Sequence, residues 1–297
     1  MPETPSTSSA ARQRPALPAE TAPGAVRLIA ADLDRMADFY ERAIGLSPVD
    51  RSPSLVRLGL RGQAVVELMH RPDASPRPPG TTGLFHLAIL VPNRLELARA
   101  IRRVVDAEWS FSGASDHLVS EALYLNDPGG NGIEIYRDRP RDEWRYSEGQ
   151  LQMATLHLDV DGVITELNGT ESVPKGMAPE TRIGHVHLQV SDLTEAEDFY
   201  CGVLGFDVTV STYPGALFVS AGGYHHHIGL NTWAGRGAPP PPPGSQGLAW
   251  FEIVVPDQTQ LEAVVNRLDE AGIDREDKEE GVLVSDPSGN RVLVTSS

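Results

Sequence analysis

The positions of a few histidines and one glutamate give this sequence its clearest chemical signal. His86 and His185 each stand seven residues before an Asn or Asp that begins a predicted helix, and Glu134 follows a turn-forming DPGGN segment. Two neutral imidazoles and one carboxylate, if brought together, form the facial arrangement that suits Fe(II) and leaves coordination positions open. Each of these residues taken singly could equally be a structural histidine or a surface carboxylate.

A second group of histidines could transfer protons. His225, His226 and His227 stand side by side in YHHHIGLN (224–231), which we predict to be a strand. Because side chains alternate along a strand, His226 should lie on the face opposite the other two. One face must meet a cavity, where an imidazole can act as a general acid or base near neutral pH. The alternative interpretation is an exposed polar strand end or a metal-sequestering tract.

The elements that position these residues come from an internal repeat. Two segments, 25–46 and 185–206, share an Asp, a Phe-Tyr pair and a Gly at a constant offset of 160 residues. A second pair of segments, 85–104 and 249–268, matches in the same way, and each is followed by a DPxGN turn and a final apolar stretch. The chain therefore carries four units, which start near residues 24, 83, 183 and 247.

All four units have the same predicted order of elements. Each opens with an alternating apolar stretch typical of a strand, and then an Asp or Asn caps a helix with apolar residues at helical spacing. Shorter strands follow, and the DPxGN turns join the last two of them in units 2 and 4. The predicted class is therefore α+β, with four βαβββ units. Because one such unit leaves a curved mixed sheet with a bare face, two must combine to enclose a cavity.

These units resemble those of the vicinal oxygen chelate superfamily, which includes glyoxalases, bleomycin resistance proteins and extradiol dioxygenases. The resemblance rests on HxxxxxPN or HxxxxxSD openings, FYx4GF helices and DPxGNxxE endings, and it covers nearly everything after residue 24. The segments GLFHLAILVP, HLVSEALYLNDPGGNGIEIYRDRP and SAGGYHHHIGLNTWAGRGAPP further resemble the bacterial catechol 2,3-dioxygenase subgroup. The fold alone does not select among the chemistries of the superfamily.

The resemblance implies metal ligands on the first and last strands of the units. The first-strand position holds His86 in unit 2 and His185 in unit 3, and the last-strand position of unit 2 holds Glu134. The matching positions elsewhere carry no ligand, being Ala25 in unit 1 and Trp250 and Leu293 in unit 4. We therefore predict His86, Glu134 and His185 as the metal ligands.

This ligand distribution departs from the usual extradiol pattern, in which units 3 and 4 supply all three ligands. Here units 2 and 3 must pair around the metal, with units 1 and 4 forming an empty cavity. Along the sequence we expect a disordered tail at 1–22, a first module with units 1 and 2 at 23–140, a connector at 141–182, and a second module with units 3 and 4 at 183–297. The connector is long enough to allow the pairing.

The resemblance also implies residues that act on the substrate. The family's acid-base histidine aligns best with His226, and Tyr124 has the family's spacing of ten residues before the glutamate ligand. His117 resembles the family's other active-site histidine, although it lies two residues closer to the tyrosine than usual. His187 shares a strand face with His185 and is an alternative ligand or a supporting residue. His225 and His227 also remain alternatives for an assigned role.

The expected activity is that of a non-haem Fe(II) extradiol dioxygenase in aromatic hydrocarbon catabolism. Its partners would be a small aromatic diol and dioxygen, and Mn(II) stays open as a replacement for iron. In this mechanism His226 accepts a substrate proton, Tyr124 and His117 donate to substrate and oxygen, and a C–C bond next to the diol breaks. The sequence leaves open which catechol is cleaved.

Two alternatives remain. A glyoxalase-type lyase or isomerase using nickel or zinc usually requires a carboxylate on the last strand of both paired units, whereas YHHHIGLN offers histidine there. A metal-free module that binds an apolar drug would have no need of His86 or Glu134. Metal analysis and oxygen uptake would separate the three.

Composition limits the other partners and the compartment. A formal charge of −16 disfavours binding to nucleic acid phosphates or an anionic membrane surface. The single cysteine, Cys201, excludes an internal disulfide and is expected in a reducing cytoplasm. No stretch is apolar enough to span a bilayer, and the polar, proline-rich start has no secretory pattern. Assembly into a homo-oligomer is left open.

Overall fold

The computed structural model describes residues 16–169 and 173–297 and confirms the four βαβββ units. Unit 1 consists of β1 (Ala22–Ala30), α1 (Leu33–Phe39), β2 (Ser47–Arg51), β3 (Leu55–Leu60) and β4 (Gln63–His70). Unit 2 consists of β5 (Gly83–Leu90), α2 (Arg94–Asp106), β6 (Phe111–Asp116), β7 (Ser120–Asn126) and β8 (Gly132–Asp138).

The second half repeats this order after a connector that carries β9 (Tyr146–Ser147), β10 (Gln150–Leu151) and α3 (Val160–Ile164). Unit 3 consists of β11 (Arg182–Gln189), α4 (Leu193–Glu197), β12 (Asp207–Val210), β13 (Ala216–Ser220) and β14 (Ile228–Asn231). Unit 4 consists of β15 (Gly247–Val255), α5 (Gln258–Glu270), β16 (Arg275–Asp277), β17 (Gly281–Ser285) and β18 (Arg291–Ser296).

The helix of each unit begins and ends where the repeated residues predict. The side chains that accept backbone N–H groups at the helix starts are those of Asp32, Asn93, Asp192 and Asp257. Helices α1 and α4 continue as π-helical turns that end at Gly45 and Gly205, where φ is 94° and 100°. Glycine adopts this left-handed conformation at little cost, which explains the repeated Gly after the Phe-Tyr helix.

The four units form two eight-stranded mixed sheets. One sheet has the order β12-β13-β14-β11-β5-β8-β7-β6 and contains units 2 and 3, and the other has the order β16-β17-β18-β15-β1-β4-β3-β2 and contains units 1 and 4. The predicted pairing of units is therefore confirmed. Its geometry differs in one respect, because β5 and β11 are antiparallel neighbours at the centre of one sheet and do not face each other across a cavity.

Each sheet takes one unit from each half of the chain. The division of the sequence into a first module at 23–140 and a second module at 183–297 stays a prediction. The predicted tail at 1–22 is too long, because Leu17 is buried and its N–H donates to the Gly205 carbonyl at 2.8 Å, while Thr21 is 1% exposed. Burial of this apolar side chain holds the segment against unit 3. Residues 1–15 of the predicted tail lie outside the described residues.

Consecutive units are joined by the repeated motifs themselves. The Tyr40 hydroxyl of unit 1 donates to Asp127 in the DPxGN turn of unit 2 at 3.0 Å, and Tyr200 of unit 3 donates to Asp286 of unit 4 at 3.0 Å. All four side chains are buried. The Phe-Tyr and DPxGN motifs therefore link each sheet to the other through buried hydrogen bonds.

The connector lies against both halves of the sheet built from units 2 and 3. The side chain of Gln150 donates to the Ser211 hydroxyl, and the Thr155 hydroxyl lies 2.8 Å from that of Tyr213. Helix α3 packs against α2. Of the helices in the described ranges, none has the length and apolar character needed to span a lipid bilayer.

Candidate metal centre and active site

The three predicted ligands converge at the centre of the sheet formed by units 2 and 3. His86 lies on β5, Glu134 on the neighbouring β8 and His185 on the neighbouring β11. Glu134 Oε2 is 3.0 Å from His86 Nε2 and 3.1 Å from His185 Nε2, and the two nitrogens are 3.3 Å apart. All three residues are buried. Within residues 16–169 and 173–297, they form the one group of three such side chains whose ligand atoms lie within 4.8 Å of one another.

The protonation states of these side chains suit a metal ion. Burial lowers the pKa of His185 to about 4, so this imidazole is neutral at physiological pH. Burial alone would raise the pKa of Glu134, but the charge and hydrogen bonds of His185 and His86 outweigh it and hold that pKa well below the usual value. An anionic carboxylate and imidazole nitrogens within 3.3 Å could hold a divalent cation through two nitrogens and one oxygen.

Two β-bulges shape the floor of the site. Phe85 is the extra residue between His86, which pairs with His187, and Leu84, which pairs with Leu188. Phe85 and His86 therefore both line the same cavity, although they are adjacent in a strand. The second bulge is at Gly184, where a Cβ atom would lie 1.9 Å from the Tyr136 hydroxyl. The missing side chain lets Tyr136 lie beneath His185, with ring centroids 4.8 Å apart.

His187 lines the cavity but is outside the ligand cluster. Its ring packs over Gly229, where a Cβ would approach the imidazole to 2.8 Å. Its Nε2 is buried and has no hydrogen-bond partner in the described part of the chain. Burial, with the neighbouring imidazoles, lowers its pKa well below the usual value. A neutral imidazole with an unpaired nitrogen is thus available to a bound molecule.

The histidine triplet precedes the last strand of unit 3, because β14 begins only at Ile228. The prediction that these three residues lie on that strand is therefore wrong: they form the turn that leads into it. His226 lines the cavity, and its ring centroid is 4.1 Å from that of His185. His227 accepts the Ala221 N–H at Nδ1, and burial lowers its pKa to about 3.

His225 points away from the cavity into a hydrogen-bonded chain. Its Nδ1 lies 2.7 Å from His226 Nδ1, and its Nε2 lies 2.9 Å from Asp138 Oδ1. The Tyr224 hydroxyl donates to the same carboxylate at 3.0 Å and is itself 2.7 Å from the Tyr136 hydroxyl. Burial, followed by the imidazoles of His185 and His225, lowers the pKa of His226 well below its usual value.

Tyr124 and His117 also meet at the cavity. His117 Nε2 is 2.7 Å from the Tyr124 hydroxyl, and His117 Nδ1 is 2.7 Å from the Ala154 carbonyl. Because a carbonyl only accepts, Nδ1 carries the proton of the neutral ring, and Tyr124 donates to Nε2. That both groups donate to substrate and oxygen stays a prediction, and in the ligand-free chain the two side chains are hydrogen-bonded to each other. Burial and then Glu134 raise the pKa of Tyr124 well above its usual value.

The cavity above these groups has a volume of about 430 Å³, and five aromatic side chains from Phe, Tyr and Trp line it beside the histidines. Phe218 and Tyr213 come from unit 3, and Trp233 lies in the segment after β14, 46% exposed at the opening. Met153 and Thr155 come from the segment that the sequence predicts only as a connector. No repeat or motif marks these wall residues, so they could not be found from the sequence.

The matching region of the other sheet carries no comparable cluster in the described residues. Arg27 pairs with Glu67 and stacks over the ring of Trp250, with its guanidinium carbon 4.5 Å from the centroid. Glu252 accepts the N–H of Ala25 at 2.9 Å and the hydroxyl of Thr295 at 2.8 Å. In units 1 and 4 an ion pair and hydrogen-bonded side chains thus occupy the place that the three predicted ligands occupy in units 2 and 3.

Comparisons with known proteins agree with this architecture. The model of the family described as the Glyoxalase/Bleomycin resistance protein/Dioxygenase superfamily matches residues 22–135 and 182–294. A protein of Bacillus subtilis (strain 168) named catechol-2,3-dioxygenase is 46% identical over 271 residues, which cover 89% of this chain and 93% of that protein.

Solved structures share the fold at low sequence identity. A crystal structure from Bacillus subtilis of a protein proposed to be a dioxygenase has a TM-score of 0.62 and 13% identity, and covers 96% of this chain and 86% of that chain. Glyoxalase I from Zea mays has a TM-score of 0.55 and 15% identity, and covers 93% of this chain and 92% of that chain. At these identities the likeness concerns the fold alone.

Proposed function

The chain belongs to the Glyoxalase/Bleomycin resistance protein/Dioxygenase superfamily, and we propose that it is a non-haem iron(II) extradiol dioxygenase that cleaves a neutral catechol with dioxygen. The observation that carries this proposal is the convergence of His86 Nε2, His185 Nε2 and Glu134 Oε2 within 3.3 Å on the floor of an aromatic cavity. The 46% identical relative, named catechol-2,3-dioxygenase, supports the same reaction class.

The two histidines and the glutamate would hold the metal. Two imidazoles and one carboxylate suit iron(II), and manganese(II) accepts the same donors. When bound, the metal would supply open coordination positions and one-electron chemistry. The protein would supply orientation, proton transfer and exclusion of bulk water. In the overall reaction both atoms of dioxygen enter the product, and the C–C bond beside the diol breaks to give a ring-opened semialdehyde.

The side chains around the cavity have separate roles in this proposal. His226 accepts a proton from a substrate hydroxyl, because it is neutral and lines the cavity beside His185. Tyr124, which donates to His117 in the resting arrangement, accepts a hydrogen bond from the substrate through its oxygen lone pair. The rings of Phe85, Phe218 and Trp233 hold the aromatic ring of the substrate.

The charge of the cavity walls selects the substrate class. Among the described residues, no lysine or arginine lines the cavity, and Glu134 is the one carboxylate that does. A substrate carboxylate would be buried there without a cationic partner, at a cost of roughly 3–5 kcal/mol. We therefore assign the site to catechols with neutral or apolar substituents.

A glyoxalase-type reaction fits the geometry less well. Glu134 lies beside Ala88, two residues beyond the first-strand ligand His86. The equivalent neighbours in unit 3 are His187 and Gly229, so the last strand of that unit offers no carboxylate. A metal-free binding module would give no reason for three ligand atoms to meet in a buried site.

Metal loading followed by oxygen uptake tests the proposal. The metal-free chain would be loaded anaerobically with iron(II) or manganese(II), its metal content measured, and oxygen consumption followed with catechol. We expect bound metal and oxygen uptake matched by formation of a ring-opened product. A chain that binds either metal but consumes no oxygen with any neutral catechol would disprove the dioxygenase assignment.

The substrate class is tested with a matched pair of catechols. 3,4-Dihydroxybenzamide and 3,4-dihydroxybenzoate have nearly the same size and differ in charge. We expect kcat/KM to be higher for the amide by roughly 10²-fold or more, from the cost of burying an unpaired carboxylate. Equal values would show that the walls do not select against charge.

A further inference from the structure

The hydrogen-bonded chain behind His226 ends at a residue outside the cavity walls. It runs from His226 Nδ1 to His225 Nδ1 over 2.7 Å, and from His225 Nε2 to Asp138 Oδ1 over 2.9 Å. The side chain of His225 is fully buried, whereas that of Asp138, at the end of β8, is 27% exposed. This series of hydrogen bonds therefore connects the cavity to the protein surface through one buried imidazole.

The carboxylate of Asp138 at the outer end determines which atom donates in each hydrogen bond of this series. A carboxylate only accepts hydrogen bonds, so the Nε2 of a neutral His225 must carry the proton and its Nδ1 must be bare. The bare Nδ1 can then only accept from His226 Nδ1–H. This leaves the Nε2 of His226, a residue that lines the cavity, without a proton.

We propose, on the basis of the function proposed above, that His225 and Asp138 are positioning residues that hold His226 in the tautomer whose unprotonated Nε2 faces the substrate. Without them a neutral imidazole could carry its proton on either nitrogen, and the tautomer with Nε2–H cannot accept a proton there. The roles are those of an orienting carboxylate and a base, with a second imidazole placed between them.

Other contacts fix the intermediate imidazole in this position. The His225 carbonyl accepts from the Thr209 hydroxyl at 2.7 Å, and the rings of Tyr224 and Trp144 lie 4.0 and 5.5 Å from its ring. Tyr224 also donates to both oxygens of Asp138, at 3.1 and 3.0 Å. The carboxylate is therefore held in place and remains an acceptor toward His225.

Nitrogen NMR of the labelled full chain tests the tautomer directly. The chain has nine histidines, so ring signals of ¹⁵N-histidine protein can be assigned by the signal that disappears in His226→Gln. With diamagnetic Zn²⁺ in the site, we expect His226 to carry its proton on Nδ1. In Asp138→Asn, where an amide N–H can face His225, the proton should move to Nε2. A wild-type His226 with a protonated Nε2, or a tautomer unchanged in Asp138→Asn, would overturn the proposal.

Steady-state kinetics of the iron-loaded enzyme test whether the tautomer of His226 affects turnover. His225→Phe removes the acceptor for His226 and should lower kcat by up to roughly 10²–10⁴-fold, the size of a lost acid-base group, with a smaller change in KM. His225→Gln offers a carbonyl oxygen to His226 and should recover much of this loss. A glutamine variant as slow as the phenylalanine variant would indicate a merely structural role and overturn the proposal.

A double-mutant cycle separates positioning from general destabilisation. If His225 and Asp138 act only through His226, then His225→Phe and Asp138→Asn should lower kcat no further in a His226→Ala background. An undiminished effect in that background would overturn the proposal. If the NMR result holds but the iron-loaded enzyme consumes no oxygen with catechols, the dioxygenase assignment fails while the tautomer assignment stands.

Discussion

At the scale of single residues, the site depends on which ring nitrogens carry protons. Burial lowers the pKa of His185 more than Glu134 raises it, so this imidazole is neutral. The pKa of Glu134 is low because the interactions with His185 and His86 outweigh the effect of its burial. His117 and His225 each have one nitrogen directed at a fixed acceptor, the Ala154 carbonyl and the Asp138 carboxylate. For neutral rings, these partners fix the direction of the His117–Tyr124 and His225–His226 hydrogen bonds.

The ligand assignment predicts that Glu134→Ala and His185→Ala lose stoichiometric metal while remaining folded. Removal of one donor from a three-ligand site leaves too few protein ligands to hold a divalent ion. The measurement is metal content per folded chain after loading and gel filtration, with circular dichroism as the check on folding.

The control for this prediction is Leu293→Ala, at the equivalent position of the other sheet. This change should cost about 2–5 kcal/mol of stability, as buried leucines do, yet leave metal content unchanged. If His185→Ala kept its metal and His187→Ala did not, the ligand would be the other histidine of that strand face.

Substitutions of the residues that face the substrate should lower turnover without loss of metal binding. Tyr124→Phe and His226→Ala are expected to keep the metal and to lower kcat by roughly 10²–10⁴-fold, because each removes a hydrogen-bonding or acid-base group beside the reacting atoms. Steady-state oxygen uptake and metal analysis on the same preparations check this. Normal rates in both variants would place the two residues in the wall of the cavity without a chemical role.

At the scale of elements, the two bulges at the β5–β11 junction decide which side chains reach the metal. The register shifts lie between Ile183 and His185 and between His187 and Leu188, so both flank the histidine pair of β11. Each shift breaks the simple alternation of a strand, since an extra residue reverses the face of those that follow. Phe85 thereby joins His86 in the cavity, and Tyr136 gains room beneath His185.

The bulge at Gly184 predicts a specific structural sensitivity. Gly184→Ala would place a Cβ 1.9 Å from the Tyr136 hydroxyl and 2.9 Å from Leu90 Cβ, so the strand must move. We expect a loss of about 1–3 kcal/mol in stability, typical of overpacking, together with weaker metal binding because His185 is the next residue. Urea unfolding and metal titration measure the two effects.

Gly202→Ala is the matched control, because no described atom lies within 4 Å of the added Cβ. It should be neutral or slightly stabilising, since alanine restricts the unfolded chain more than glycine. Equal losses in the two variants would contradict the steric explanation for Gly184.

At the scale of the whole molecule, each sheet combines one unit from the first half of the chain with one from the second half. The connector between the halves adds residues to the cavity wall. The turn into β14 contributes His226, whereas Met153 and Thr155 arrive from the connector. The cluster of buried imidazoles therefore exists only in the folded chain, because the two halves must assemble to bury it.

The metal-free chain should lose stability as the pH falls below about 6.5. In the folded state the pKa values of His185 and His227 are about 4 and about 3, below the ordinary value of 6.5. Between these values the unfolded chain binds protons that the folded chain does not, so stability decreases with acidification. Each such histidine contributes up to about 1.4 kcal/mol per pH unit. Urea unfolding at pH 7, 6 and 5 measures the slope.

His227→Asn provides the control for this slope. Its amide oxygen can still accept the Ala221 N–H that His227 accepts, but the side chain does not titrate. The variant should show a slope smaller by about one proton. An unchanged slope would contradict the assignment of His227 as a buried neutral histidine.

Local patterns were sufficient to predict the four βαβββ units and the helix starts, because these repeat at a fixed distance from a capping residue or a DPxGN turn. The resemblance to the superfamily then assigned the three residues that converge. Fixed spacing carries this information since strand alternation and helix capping are local. The empty positions at Ala25 and Leu293 even indicated that units 2 and 3 pair.

The contacts between the units and the surroundings of the ligands could not be predicted from local patterns. The adjacency of β5 and β11, the bulges at Phe85 and Gly184, and the contribution of Met153 depend on contacts between segments far apart in the chain. Asp138 and His225, 87 residues apart, lie on no shared motif. Side-chain direction at a bulge, and the partner of a buried hydrogen bond, follow from packing of the whole molecule and not from local spacing.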